Sequence, residues 1–147
     1  MITKEYNDLY YVCALIEYIA RQTKNHRSYV VKRIGVEGLR RQLKDAEVNH
    51  CLSFEQVSDE LIERYGIDEG DFETVERCKY KVPDYVDIGK LYATIIEDVI
   101  DDEPREYAIY KVFDSFLSDM ISDFNSDLYY QNPSYLEQSY LAGELLA

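Results

Sequence analysis

Apolar residues in this chain return every three or four positions, in one segment after another, and no stretch shows the strict alternation of a half-buried strand. Leu9, Val12, Cys13, Ile16, Ile19, Ala20 and Thr23 draw one stripe along a helix running from about Glu5 to Thr23, with Asp8, Glu17 and Arg21 off the stripe. Lys24-Asn25-His26 reads as a turn. Ser28 is placed to cap a short helix carrying Val30, Val31 and Ile34 and closed by Gly35, and Val36, Leu39, Leu43 and Ala46 mark a third helix. Ser53-Phe54-Glu55-Gln56 is a capping-box pattern, in which a serine hydroxyl and a glutamine side chain satisfy each other's free backbone donors. The helix it opens carries Val57, Leu61, Ile62 and Tyr65 and stops at Gly66.

Phe72, Val75 and Cys78 suggest a further short helix, and Lys79 to Tyr85, with Pro83-Asp84, an extended connection. Beyond it Asp87 is expected to cap a helix with the stripe Ile88, Leu91, Tyr92, Ile95 and Val99, and Pro104 opens the next. That helix bears Ile109, Phe113, Phe116, Leu117, Met120, Ile121 and Phe124, and Asn132-Pro133-Ser134 starts a last one. The expected fold is all-α, an irregular bundle of six to eight helices in one domain over residues 1–147, with a subdomain boundary around 79–86. At 147 residues the chain can bury roughly 68–70% of its unfolded surface and needs no staples.

Composition excludes several classes. With 46% apolar and 31% charged residues the chain is not disordered, and no charge-free run of 18 residues offers a membrane span. It opens without a basic, apolar leader, so a cytoplasmic protein is expected. Cys13, Cys51 and Cys78 are too few and too widely spaced for a disulfide framework or a zinc knuckle, and His50 beside Cys51 could ligate zinc only if the fold gathered all four. No Gly-rich phosphate loop, nucleophile elbow or H-E-x-x-H is present. Fifteen tyrosines and no tryptophan favour half-buried positions and contact surfaces.

The net charge of −13 hides a segregation. Arg21, Lys24, Arg27, Lys32, Arg33, Arg40, Arg41 and Lys44 face a single acid, Glu37, whereas Asp84 to Asp127 holds twelve acids against Lys90, Arg105 and Lys111. If the two stretches stay apart in space, the first is a basic patch for a protein partner, with Arg27, Lys32, Arg33, Arg40 and Arg41 as its contacts and Tyr129 and Tyr130 as contact aromatics. If they pack together, they neutralise. Asp119, Asp123 and Asp127, at helical i, i+4 spacing, offer an acidic face for a basic surface.

Two other functions compete. Glu60 with Glu63, and Asp98 with Asp101, are acid pairs one helical turn apart, a pattern resembling the E-x-x-E and E-x-x-D elements of all-α enzymes that hydrolyse nucleotide pyrophosphates. That reading implies Mg²⁺ held by the four acids, whereas the interaction reading requires no cofactor. The segment from Ile19 to Lys44 resembles a helix-turn-helix, with Ser28, Tyr29, Lys32 and Arg33 toward nucleic acid, although the acidic bulk opposes such a partner. Arg21-x-x-x-x-His26 matches the R-x4-H element of all-α ribonucleases of toxin systems.

Tyr11 to Ala20, Tyr29 to Ile34 and Val57 to Ile62 give the first 65 or so residues their character, and there the chain resembles a family of short bacterial helical proteins of unknown function. Those proteins are encoded beside ADP-ribosyltransferase-like proteins, which implies an antitoxin-like or accessory role and assigns no catalytic residue. The expected function is a non-enzymatic protein-interaction module.

Overall fold

The computed structural model describes residues 3–147, and among them every regular element is helical. Helix α1 (Lys4–Thr23) starts where the Thr3 hydroxyl accepts from the Tyr6 amide at 3.1 Å. Its buried positions run almost without gap from Asp8 to Ala20, so α1 is covered on every side rather than along one stripe. Glu17, although off the apolar stripe, is fully buried.

A buried charge must be paired, and α2 (Arg27–Asn49) supplies the partner in its first residue. Arg27 is also fully buried, and its guanidinium donates twice to Glu17, at 2.9 Å to Oε1 and 2.6 Å to Oε2. Arg21 adds a third bond to Oε2 at 2.7 Å. Burial alone would raise the Glu17 pKa; the charges and hydrogen bonds of Arg27 and then Arg21 outweigh it and hold the carboxyl below its ordinary value. His26, not Ser28, occupies the cap position of α2. The two helices expected on either side of Gly35 meet there at a kink within α2, since the glycine's φ of 74° and ψ of 166° lie outside the helical region, where a Cβ would be strained.

Helix α3 (Phe54–Tyr65) has the capping box read from the sequence, with both Ser53–Gln56 bonds made, and ends at Gly66 in the left-handed conformation. Residues 72–78 do not form a helix. The Glu73 carboxylate accepts from the amides of Val75 and Glu76, which holds that stretch as a turn. An extended segment then leads to α4 (Tyr85–Val99), capped by Asp84 rather than Asp87 through the Val86 amide at 2.7 Å. Helix α4 lies along α1, and α5 (Arg105–Asp114) along α2, so helices on both sides of residues 79–86 pack against one another.

The long helix expected through Phe124 is broken. Ser115, with φ −79° and ψ 168°, ends α5 and caps α6 (Phe116–Ser122), accepting from the Leu117 amide while its hydroxyl donates to the Val112 carbonyl. The apolar stripe continues across the break because both pieces face the core, where Tyr92 and Phe113 stack at 4.0 Å. A 3-10 turn (Leu128–Tyr130) leads to α7 (Pro133–Ala142), capped by Asn132 and seated on α4. No described helix is long and apolar enough to cross a membrane.

Helix α4 comes close to α1 at Gly89, where an added Cβ would come within 2.6 Å of the Ala14 backbone. Gly89→Ala is therefore expected to force the two helices apart and cost about 1–3 kcal/mol in urea unfolding. Arg27→Ala, which leaves Glu17 less well paired in the core, is expected to cost about 3–5 kcal/mol, whereas Arg41→Ala stays within about 0.5 kcal/mol.

Candidate functional site

The basic segment does not assemble the patch expected of it. Arg27 lies in the core against Glu17 and reaches no surface. Lys32 pairs with Asp114 at 3.2 Å, Arg40 with Glu37 and Glu106, and Arg41 with Asp45 at 3.6 Å. Arg33 reaches the Gly66 end of α3, where a cation meets free helix carbonyls favourably. The negative stretch has folded over the positive one, and the Arg40–Glu106 contact spans α2 and α5. Such pairs are half exposed and bind weakly, so Lys32, Arg40 and Arg41 stay at the surface, each beside a carboxylate that offsets its charge.

The nucleic-acid reading fares no better. The loop after α3 covers the turn between α1 and α2: the Gly70 and Phe72 amides donate to the carbonyls of Thr23 and Lys24, and the Asn25 side chain donates to the Asp68 carbonyl. That loop carries Asp68, Glu69 and Asp71, and the Asp68 amide donates to the Tyr29 hydroxyl, so an acidic segment packs at the end of α2 that would have to meet phosphates. Arg21 and His26 also part company. Arg21 binds Glu17 and the Pro83 carbonyl, while His26 stacks on Phe72 at 3.9 Å and bonds Asp119 at 2.8 Å.

Among the described residues no three His, Cys, Asp or Glu side chains stand together as metal ligands, so Glu60, Glu63, Asp98 and Asp101 do not converge, nor do His50 and the cysteines. Glu60 pairs with Arg64 on its own helix. Asp98 faces Glu137 of α7 instead. Burial, then the hydrogen bond and charge of Asp98, push the Glu137 carboxyl up to about 7. Among the described residues its Oε1 is closed to solvent with no hydrogen-bond partner, a setting that favours the neutral acid. The acids Asp119, Asp123 and Asp127 do not share a helix face, because α6 ends at Ser122.

What the fold does display is aromatic. Tyr130 is 76% exposed and Tyr80 69% exposed. Tyr129 and Tyr130 pack at 4.3 Å and form a ridge between two clefts of about 700 and 620 Å³. The first cleft has Pro83, Asp84, Asp87 and Arg21 in its walls; the second has Tyr80, Asn125 and Asp127; Lys81 lines both.

Each wall is fixed from below. Asn125 holds residues 77–79 through its side chain, accepting from the Lys79 amide at 2.7 Å and donating to the Arg77 carbonyl at 3.0 Å. Arg21 holds Pro83 at 2.8 Å, and its guanidinium lies 4.9 Å over the ring of buried Phe124, against which Tyr129 stands edge-on. Burial and the Tyr130 hydroxyl push Tyr129 up to about 12, so it stays an uncharged phenol. Of these residues the sequence singled out Tyr129, Tyr130 and Arg21. It did not separate Tyr80 from the other tyrosines, although its place in an extended connection is the signal that a side chain there need not be buried.

Comparison of the chain with known protein families, with curated proteins and with solved structures finds no match, so the functional reading rests on these residues.

Two outcomes check this geometry. Asn125→Ala is expected to speed amide hydrogen exchange across residues 77–83 by about tenfold or more without altering α3. Because the folded Glu137 pKa lies above the ordinary 4.5, its contribution is full at low pH and is lost as pH rises toward about 7. Raising the pH from about 5 to about 8 should therefore lower the melting temperature of the natural chain more than that of Glu137→Gln.

Proposed function

We propose that this chain is a protein-interaction module that receives an extended basic segment of a partner protein across Tyr80, Tyr129 and Tyr130. The observation that carries the reading is the exposed aromatic ridge with a cleft on either side and carboxylates in both cleft walls. Tyrosine gives rigid contact area with few rotors to immobilise, and its face attracts a guanidinium or ammonium group. Asp84, Asp87 and Asp127 stand where the charges of such a segment would be met, and the net charge of −13 would steer it in. The partner's charge is thus opposite to the one a basic patch would have selected. The likeness of the first 65 residues to bacterial proteins encoded beside ADP-ribosyltransferase-like proteins adds an antitoxin-like or accessory setting to the proposal.

A fluorescently labelled ten-residue peptide of alternating arginine and serine tests it by anisotropy at low salt. Tyr80→Ser/Tyr130→Ser should weaken binding about 30-fold or more, as loss of interface anchors does, and Tyr107→Ser, an exposed tyrosine on α5, should leave it unchanged. An equal affinity for the double variant, or for a glutamate-for-arginine peptide, would overturn the reading.

A further inference from the structure

A third cleft, of about 760 Å³, opens between the first turns of α1, the end of α2 and the starts of α3 and α4. Its apolar wall is aromatic: the Tyr11 ring lies 4.4 Å from His50 and 5.2 Å from Phe54. Its rim is ionic. Asp8, almost buried, and Glu47, exposed, share one cation, the Lys4 ammonium, at 2.9 and 3.7 Å. Tyr11 is 4% exposed, so its ring is a fixed wall of the cleft.

We infer that this cleft binds a small primary amine carried on an aromatic ring, the ring against Tyr11, His50 and Phe54 and the ammonium between Asp8 and Glu47 in place of that of Lys4. Lys4 shows where a cation is stable, and it holds the place weakly because its side chain is 60% exposed. Asp8 is the stronger of the two carboxylate partners because it is screened from water. The volume lies within the range of small-molecule sites, and an aromatic wall with a few converging polar groups is their usual composition. The inference does not rest on the Tyr80–Tyr130 face, whose two clefts share no lining residue with this one.

Titration of the full chain with 2-phenylethylamine, followed by the His50 ring and backbone amide resonances, tests it. Saturable shifts are expected at His50, Phe54 and the first turns of α1, with 2-phenylethanol at least about tenfold weaker because it carries no charge. Asp8→Asn should weaken the amine about tenfold. Lys4→Met, on an exposed side chain that the fold does not need, should tighten it about threefold by removing the internal competitor. Failure to saturate by about 10 mM, alcohol and amine binding alike, shifts confined to the Tyr129–Tyr130 region, or a Lys4→Met chain that binds no tighter would each overturn the assignment.

Discussion

One carboxylate organises the molecule. Glu17 sits in the middle of a helix that is covered on all sides, and in that position it is tolerable only with two guanidinium groups against it. Arg27 must then be the first residue of α2, which fixes the short turn before it and the angle at which α2 leaves α1. Arg21 must turn inward, and in doing so it takes the Pro83 carbonyl and with it the entry to α4. A hydrophobic replacement could fill the same volume, but it would not join α1, α2 and the connection before α4 through a single group.

The parts of the fold that local chemistry dictates were legible in the sequence. The Ser53–Gln56 capping box, the Gly66 stop and the Asn132-Pro133 start all stand where the residues put them, and the bundle of seven α-helices is the class that the spacing of apolar residues implies. What failed has a common cause. Periodicity sorts residues into inside and outside by assuming one buried face, so it sets Glu17 off the stripe although the helix is covered there too. The same rule carried one helix through Ser115, since a stripe cannot report a break whose two sides face the same core. Gly35, by contrast, stops the helical dihedrals where the sequence puts it, and a second helical piece begins beyond the kink.

The candidate site was legible only in part, and for a related reason. Tyr129 and Tyr130 could be named because consecutive tyrosines near the end of an acidic stretch have few ways to be buried together. The basic contacts could not be judged, because Arg40 meets Glu106 and Lys32 meets Asp114 through the packing of α2 on α5, and no local pattern announces that pairing. Tyr11 and His50 come together from the opposite ends of α1 and α2 in the same way.

From Glu17 outward, each group rests on the next: the carboxylate on Arg21, that guanidinium on the Phe124 ring, the ring on Tyr129, and Tyr129 on Tyr130 in open solvent. Such a column gives the outermost phenol a footing in the deepest charge of the molecule. Selection acting on what the surface recognises is thereby confined to the tip of the column, since any change lower down is also a change to the foundation.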